Sequence, residues 1–327
     1  MSSAFQDAIA AGLGVQAAAF ALAAVGLNLQ FGYTGLLNFG LVAFLMVGAY
    51  GTAITVNEGG PLWLGVLVGI AASVALGLVF GMPTLRLRAD YLAIVTITAG
   101  ETLRIIINAG GQSSITQGPF GIQRFANSFF NINPFPVGTY GPGRVSFSES
   151  DLWVMTVTWA LVALFSLAVY RLVRSPWGRV IKAIREDEDA ARSLGKNVFA
   201  YKLQSLCLGG VMAGCAGIML ALSQQNVSPT YYVPAFTFFI YAIVILGGPG
   251  SVWGPIIGAA AFWFLIQFTA GLLTDAIGDG WIPSSILSPD EVLTFRYVLV
   301  GLGLIALVVW RPQGIAGNRE ELLIDDR

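Results

Sequence analysis

Long apolar stretches separated by short polar links dominate the pattern of hydrophobic and polar positions in this chain. The nearly uncharged runs lie at about residues 8–30, 36–56, 62–82, 91–108, 152–170, 203–222, 235–247, 255–273 and 292–310. Most of them approach the roughly 20 residues that a helix needs to cross a bilayer core about 30 Å thick. The pattern therefore predicts an all-α polytopic membrane protein with about nine transmembrane helices, within a range of eight to ten.

Two places in this pattern depart from a simple crossing. The run at residues 235–247 is short for a full crossing, and the first two runs are separated only by residues 31–35. Irregular backbone at membrane depth is tolerated only where it faces protein or a wet cavity, because lipid cannot satisfy its polar groups. We therefore expect broken or re-entrant helices at both places, and we regard them as candidate elements of a transport pathway.

The same two places share a short sequence similarity. Residues 31–40 read FGYTGLLNFG and residues 246–254 read LGGPGSVWG, and each has a G-x-x-G that opens onto an apolar run. Such a similarity is typical of transporters with duplicated halves, but glycine-rich matches of this length also arise by chance. Both interpretations stay open at this point.

One charged segment interrupts the apolar pattern. Residues 171–202 hold eight of the 17 Lys and Arg residues, in a chain that is 56% hydrophobic and only 11% charged. They also hold four of the 18 acidic residues, in the unbroken run Glu186, Asp187, Glu188 and Asp189. This concentration of charge favours a docking element for a partner outside the apolar phase.

The asymmetry of positive charge predicts the orientation of the spans. Residues 171–202, the link with Arg86 and Arg88, and the tail at 311–327 together hold 13 of the 17 positive residues. They fall on one side if nine spans alternate, and the positive-inside rule makes that side cytoplasmic. The N-terminus is then outside and the C-terminus cytoplasmic. An eight-span arrangement with a cytoplasmic N-terminus survives if the first two runs make only one crossing.

The longest polar segment, residues 109–151, falls on the opposite, extracytoplasmic side. It contains seven Phe or Tyr residues and few charges. Aromatic residues commonly mark membrane interfaces, so the segment fits an amphipathic cap on the membrane face. It also fits a docking surface or gate for whatever delivers the substrate, and the two roles are compatible.

Composition excludes several classes of function. The chain has no histidine, which removes His-based metal sites and His general bases, and its two cysteines are too few to hold a metal. The only Gly-Lys pair, Gly195 with Lys196, lacks the other residues of a phosphate-binding Walker loop. A net charge of -1 gives no basis for nucleic-acid binding. We therefore predict that residues 1–327 form one integral membrane domain that binds no cofactor. Any ATP must be bound by another chain.

The charged segment has helical periodicity. Arg179, Lys182 and Arg185 recur at every third position, beside an apolar flank formed by Val180, Ile181 and Ile184. Asp189, Ala190 and Ala191 follow, and Gly195 then provides a glycine turn. This order predicts an amphipathic cytoplasmic helix that fits a groove on a partner.

Few polar residues lie inside the predicted spans. Glu101 and Arg104 are three positions apart, so they share a helix face and can pair, which lowers the cost of placing either in the membrane. They are candidates either for structural pairing or for substrate contact. Thr96, Thr98 and Asn38 are further candidates for lining a translocation path, although each could instead bond a neighbouring helix.

Several segments resemble one family of permeases. Asp-Ala-Ala-x-x-x-Gly at residues 189–195 resembles the EAA loop of ATP-binding cassette (ABC) importers, with Asp189 in place of the usual Glu. The wider string SPWGRVIKAIREDEDAARSLGKNVFAYKLQSLCLGGVMAGCAGIMLA resembles LivM-type permeases of branched-chain amino acid uptake. Further matches are GYTGLLNFGLVAFLMVGAY from Gly32, RLRADYLAIVTITAGETLR from Arg86, TQGPFGI from Thr116, LGGPGSVWGPIIGA from Leu246 and WRPQGIAG from Trp310.

The resemblance implies more than the residues alone establish. It implies alternating access in a bacterial or archaeal plasma membrane, with a LivH-type permease as heterodimer partner. It also implies two cytoplasmic ABC ATPase subunits that bind ATP-Mg, and an extracytoplasmic solute-binding protein. The implied substrates are branched-chain or other amino acids, or alternatively urea or short amides. The implied ATPase-coupling residues are Arg179, Lys182, Arg185, Glu186, Asp187, Glu188, Asp189, Ala190, Ala191 and Gly195.

Two other classes compete with this interpretation. A secondary transporter or channel would need coupling charges or a filter at membrane depth, and the Glu101–Arg104 pair is thin support for either. A membrane enzyme or respiratory-complex subunit would need cofactor ligands, and the lack of histidine counts against it. We therefore expect a transport subunit that is not itself an enzyme.

Overall fold

The computed structural model describes residues 2–87, 89–111, 115–143, 145–278 and 289–317. Within these residues the chain is almost entirely α-helical. The helices are α1 Ser2–Leu13, α2 Val15–Leu27, α3 Leu41–Asn57, α4 Leu62–Thr84, α5 Ala89–Asn108, α6 Asn127–Phe130, α7 Glu149–Arg174, α8 Pro176–Glu186, α9 Glu188–Ser193, α10 Val198–Gln224, α11 Ala235–Gly247, α12 Gly254–Gly278 and α13 Pro289–Trp310.

Short non-α elements occur between these helices. A π-helix, Asn28–Tyr33, continues α2, and 3-10 turns lie at Gly118–Phe120 and Pro229–Tyr231. The strands β1 Ile122–Gln123 and β4 Asn226–Val227 pair antiparallel, with Ile122 opposite Val227. The strands β2 Thr139–Tyr140 and β3 Phe147–Ser148 form a second antiparallel pair.

The apolar runs correspond to apolar helices. In the part of the chain that the structure describes, six segments are long and apolar enough to cross a membrane: Val15–Tyr33, Leu62–Thr84, Tyr91–Asn108, Glu149–Arg174, Val198–Gln224 and Gly254–Ile277. Shorter apolar helices cover Leu41–Asn57, Ala235–Gly247 and Thr294–Trp310. Each predicted run overlaps one of these segments, which confirms an all-α polytopic protein.

The first run differs from the prediction because it is not one continuous helix. Gly14 has an extended conformation (φ -63°, ψ 176°) that separates α1 from α2. A side chain here would crowd the backbone, since a Cβ on Gly14 would lie 3.0 Å from the Ala10 carbonyl oxygen. The break lets α1 pack along α12, where the Phe5 ring meets the Phe264 ring edge-on at 5.7 Å between centroids.

The helices α2 and α10 form the centre of the bundle. Every residue of α2 from Ala17 to Leu27 is buried, whereas fewer than a quarter of the residues in the apolar windows of α4 and α5 are buried. Glycines allow the central backbones to approach closely, because a Cβ on Gly26 would lie 2.5 Å from the Gly209 carbonyl oxygen. Small residues at such contacts are typical of membrane helix packing.

Both places where we expect interrupted helices are interrupted. The π-helix at Asn28–Tyr33 leads into residues 34–40, which are largely non-helical, before α3 begins. The helix α11 has only 13 residues, which is about 20 Å at the usual rise. It follows residues 225–234, where the 3-10 turn and β4 replace an α-helix.

The links between helices fall into two groups at opposite ends of the bundle. At the α8 end, the Arg86 guanidinium lies 5.9 Å from the Phe199 ring centroid, and the Ile315 backbone N–H donates to the Leu246 carbonyl. The positively charged link, segment and tail therefore meet there. At the other end, which we call the β1 end, residues of the 109–151 segment pair with β4. Arg88, Arg319 and Arg327 lie outside the described residues.

The described part of the 109–151 segment packs as a small aromatic layer. The Phe129 ring stacks on the Trp153 ring at 5.6 Å, and the Trp153 indole N–H donates to the Phe129 carbonyl at 3.1 Å. Val137 and Ile132 remain strongly exposed. These contacts fit the expected cap at this end of the bundle, and the exposed apolar residues also fit the expected docking surface.

A close glycine contact gives a stability prediction. A Cβ on Gly217 would clash with the Leu45 backbone, whereas one on Gly303 would meet nothing within 4 Å. Gly217→Ala should therefore destabilise the protein by about 1–3 kcal/mol, as overpacking does. Gly303→Ala, the matched control in α13, should be neutral or slightly stabilising because Ala favours helices. Thermal unfolding of the two purified variants in detergent measures the difference, and equal melting temperatures would contradict the packing.

Candidate coupling surface

The helix α8 begins because of a local capping arrangement. The Ser175 hydroxyl accepts a hydrogen bond from the Gly178 backbone N–H at 3.5 Å and donates to the Leu172 carbonyl at 2.6 Å, so it serves α7 and α8 together. Pro176 occupies the first turn of α8, where its missing N–H costs nothing. Ile181 and Ile184 form the buried face of α8, as the periodicity predicts.

The charged segment forms two short helices where the sequence predicts one. Asp187 has an extended backbone (φ -152°, ψ 106°), which ends α8. Its carboxylate then caps α9 by accepting hydrogen bonds from the Asp189 and Ala190 N–H groups, both at 2.9 Å. Gly195 has a φ of 74°, in the left-handed region that favours glycine. The segment therefore turns sharply before Asn197 caps α10.

Most of the predicted coupling residues are presented to solvent, but one is not. Ala191 is 3% exposed and packs with Ile184 and Val198, so it supports the surface rather than forming it. Lys182 and Glu188 are half-buried. The exposed members of the predicted set are Arg179, Arg185, Glu186, Asp187, Asp189, Ala190 and Gly195.

Ion pairs organise the charges on this surface. Arg192 binds the carboxylates of Glu188 at 3.0 Å and Asp189 at 3.1 Å, and Glu188 also pairs with Lys202 at the start of α10. Exposed pairs of this kind contribute about 0–1 kcal/mol each, so they fix the pattern of charge more than the fold. We name the exposed face of α8 and α9, together with residues 194–196, the coupling surface.

Leu194 is a member of this surface that sequence reasoning misses. It is 78% exposed among charged neighbours. Because Leu194 is three positions after Ala191, the helical spacing places both on one buried face. Leu194 is exposed instead because α9 ends at Ser193 and the chain turns at Gly195. The signal that could have revealed it is the glycine turn directly after it.

The coupling surface is tied to the interrupted end of α2. The Arg185 guanidinium donates to the Gly32 carbonyl in the π-helix, and the Lys182 ammonium lies 5.7 Å from the Tyr33 ring centroid. The Asn28 amide, one turn earlier, donates to the Ser251 carbonyl at 2.8 Å and accepts from the Gly250 N–H at 2.9 Å. The two similar glycine-rich segments therefore lie side by side at the α8 end.

A chain of buried polar side chains supports the irregular backbone after the π-helix. The Gln30 amide donates to the Leu206 carbonyl at 3.0 Å, and the Asn38 amide donates to the Gln30 side-chain oxygen at 3.0 Å. The hydroxyls of Thr34 and Ser205 lie 2.7 Å apart. These bonds satisfy the buried polar side chains, and the Asn38 side-chain oxygen in turn accepts a hydrogen bond from the Gly40 backbone N–H at 3.1 Å, which pairs one backbone group of the non-helical segment.

The structure separates the predicted path residues into two groups. Asn38 and Thr96 meet around Phe39, since the Phe39 N–H donates to the Thr96 hydroxyl at 3.1 Å, and both are buried. Thr98 lies on the exposed face of α5 and donates to the Ile94 carbonyl at 2.8 Å. The two groups therefore do not form one continuous lining within this chain.

The Glu101–Arg104 pair is formed as predicted. The Arg104 Nε donates to a Glu101 carboxylate oxygen at 2.9 Å, and both side chains are partly exposed. The exposed face of α5 between Ile94 and Ile106 borders a shallow groove of about 430 Å³. Among the described residues, no group of three His, Cys, Asp or Glu side chains could hold a metal ion.

The contacts of Asn28 give a prediction for the α8 end. Asn28→Leu removes one donor and one acceptor and leaves two backbone groups of the 248–253 turn unpaired. Each unpaired group costs about 1–3 kcal/mol when buried, so the loss of stability should be about 2–4 kcal/mol. Asn57→Leu, at an exposed position, is the control and should change little. Thermal unfolding in detergent tests this, and an unchanged midpoint for Asn28→Leu would refute the role.

Comparison with known proteins places this architecture in a family. The family model described as "Branched-chain amino acid transport system / permease component" matches residues 9–308. The branched-chain amino acid permease protein LivM of Salmonella typhimurium is 33% identical over 302 residues, 89% of this chain and 66% of that protein. The chain thus spans about two thirds of the length of that relative.

Two further relatives extend the comparison. The LivH permease protein of Salmonella typhimurium is 27% identical over 316 residues and 92% of each chain. The nucleoside ABC transporter permease protein NupC of Lactococcus lactis is 26% identical, over 86% of this chain and 87% of that protein. Because the family model covers nearly the whole bundle, the chain belongs to the family of branched-chain amino acid transport permease components.

Proposed function

We propose that this chain is the membrane-spanning permease subunit of an ATP-driven ABC importer for branched-chain or other amino acids. The coupling surface is the observation that carries this proposal. It presents mixed charges and Leu194 to solvent, while Ile181, Ile184 and the Arg185–Gly32 bond hold it on the bundle. An exposed surface that is rigidly attached to a helix break is suited to receive force from a partner.

The proposed division of labour follows from what the sequence lacks. Without a Walker loop in this chain, two cytoplasmic ABC ATPase subunits bind ATP-Mg and dock on the coupling surface. This chain binds no cofactor itself and is not an enzyme. A LivH-type permease completes a heterodimer in the lipid bilayer, and the similarity to both LivM and LivH relatives supports that pairing. A solute-binding protein delivers substrate at the β1 end.

The α8 end is the cytoplasmic end in this proposal. It gathers Arg86, Arg311 and the eight basic residues of the 171–202 segment, which is the asymmetry that the positive-inside rule describes. The N-terminus then lies outside the plasma membrane of a bacterium or archaeon, and the C-terminus lies in the cytoplasm.

The proposed mechanism is alternating access. Closure of the ATPases on ATP moves α8 and α9, and the Arg185–Gly32 bond transmits the movement to the π-helix. From there the Asn28 contacts reach the turn between α11 and α12. Broken helices suit this role because their ends can reorient without unpacking a full crossing.

The substrate is the least constrained part of the proposal. The family description favours branched-chain amino acids, whereas a relative described as a nucleoside permease shows that similar chains serve other cargo. Urea or short amides are the alternative within the family. A secondary transporter or channel is the alternative from another class, and the paired Glu101 and Arg104 offer it little support.

Leucine uptake by the complete transporter tests the function. The transporter, purified from its host through a tag on this chain, is placed in lipid vesicles with its solute-binding protein. Uptake of radiolabelled leucine should require ATP and should survive a proton uncoupler. Uptake that ignores ATP but collapses with the uncoupler would instead identify a secondary transporter.

The Leu194→Asp variant tests the coupling surface in the same vesicles. A charge at this exposed apolar position should reduce ATPase co-purification and ATP-driven uptake by about tenfold or more, since docking would bury an unpaired carboxylate. Val137→Asp is the control for ATPase co-purification, which it should leave unchanged, because Val137 is 93% exposed at the opposite, β1 end. Normal uptake by Leu194→Asp would remove the basis for this surface as the docking site.

Cysteine labelling tests the orientation. Cys207 and Cys215 are first replaced by Ser, and single cysteines are introduced at Lys196, at the α8 end, or at Val137, at the β1 end. A membrane-impermeant maleimide added to whole cells should label the Val137→Cys protein and spare Lys196→Cys until the membrane is permeabilised. Labelling of both from the same side would overturn the topology.

A further inference from the structure

A polar cavity lies at the β1 end, where β1 pairs with β4. It is shallow and open to solvent, with a volume of about 450 Å³. Every residue that lines it has a polar side chain, which sets it apart from the apolar groove on α5. The lining residues are Gln123, Arg124, Ser223, Gln224, Gln225 and Asn226.

The backbone around this cavity is held in an unusual conformation. Arg124 and Gln225 both have positive φ values, 56° and 49°, which are strained for residues other than glycine. They are joined by a hydrogen bond from the Arg124 N–H to the Gln225 carbonyl at 2.9 Å. Ile122 and Ala126 on either side are fully buried and anchor the loop. The fold therefore fixes the backbone that carries these side chains at the cavity wall.

Two groups at the cavity have unmet bonding capacity. Arg124 is exposed and forms no ion pair within the described part of the chain. The side-chain oxygen of Asn226 is buried and has no hydrogen-bond donor. A guanidinium binds carboxylates through two parallel hydrogen bonds, and an orphaned buried acceptor is stabilised by any donor that reaches it. The cavity thus offers a cation for an anion and an acceptor for a donor.

We propose that this cavity binds the zwitterionic head of a free amino acid as it enters the permease. The carboxylate pairs with Arg124, and the ammonium donates to the neighbouring glutamine oxygens and, once the Asn226 side chain turns outward, to the Asn226 oxygen. Because no apolar side chain lines the cavity, the site recognises the carboxylate and ammonium groups that amino acids share. It does not select among their side chains. The inference rests on the proposed function, since it takes amino acids as the cargo.

The carboxylate that Arg124 attracts has a second source. An acidic side chain of a solute-binding protein docked at the β1 end presents the same chemistry. The two sources differ in their need for an ammonium group and for the binding protein. Competition measurements made without the binding protein therefore separate them.

The experiment measures radiolabelled leucine binding to the purified transporter in detergent, without its solute-binding protein. Glycine should compete within about threefold of leucine, because the cavity has no apolar pocket for the side chain that glycine lacks. Leucinamide lacks the carboxylate and 4-methylpentanoate lacks the ammonium, so each should compete at least tenfold less well than leucine. Arg124→Gln should weaken leucine binding by about tenfold or more, as the loss of a charge-assisted pair predicts. Arg124→Lys should recover part of the loss.

Matched variants keep the result interpretable. Arg296→Gln removes a positive charge from α13, away from the cavity, and should leave leucine binding unchanged. Asn226→Leu should weaken binding while size-exclusion profiles stay monodisperse. Unchanged leucine binding by Arg124→Gln, or competition ranked by side chain so that glycine fails, would overturn the site. Loss of binding-protein capture with normal leucine binding would assign Arg124 to that protein instead.

Uptake by the unaltered transporter separates this inference from the function on which it rests. If vesicles import leucine with ATP but glycine never displaces bound leucine, the cavity proposal falls and the importer remains. If vesicles import no amino acid at all, the proposed function falls first.

Discussion

The rest of this structure depends on how the backbone polar groups are hydrogen-bonded at one helix break in the membrane bundle. Hydrocarbon offers no hydrogen bonds, so residues 34–40 between the π-helix and α3 need protein partners for their polar groups. The Phe39 N–H donates to the Thr96 hydroxyl, the Gly40 N–H to the Asn38 side-chain oxygen and the Leu36 N–H to the Gln30 carbonyl. The side chains of Gln30, Thr34 and Asn38 are bonded in turn, to the Leu206 carbonyl, to Ser205 and to the Gln30 side chain. Because all of these side chains are buried, they are better understood as scaffold than as a translocation path.

That interruption also creates the contact through which the coupling surface reaches the bundle. Gly32 lies one residue before the end of the π-helix, where carbonyl groups run out of helical partners, so its carbonyl is available to Arg185. The Asn28 side chain extends the contact to Gly250, and the tail joins through Ile315 and the Leu246 carbonyl. Four segments that are remote in sequence thus converge at the α8 end, which gives a docked partner one place on which to act.

The sequence predicts the positions of the membrane spans well but not which face of each span packs against protein, and the reason is physical. Apolar runs report the phase that surrounds a segment, so the polytopic fold and both interrupted helices follow from them. They do not report which face meets protein, so Asn38 and Thr96 fall inside the bundle while Thr98 faces outward. At residues 189–195 the spacing identifies the surface but not which residues are exposed. Ala191 is buried and Leu194 is exposed, because α9 ends at Ser193 and the chain turns at Gly195.

The two ends of the molecule are joined by α10, which is the longest helix described. Its 27 residues extend about 40 Å, from Val198 beneath Ala191 to Gln224 at the polar cavity. Along its length it contacts the buried polar chain at Ser205 and packs through glycine against α2 and α3. A close-packed helix moves as a unit, because its neighbours leave no space for local bending. In the proposed importer, α10 would therefore give displacement of the coupling surface a direct mechanical route to the opposite end, without requiring any charge to cross the membrane.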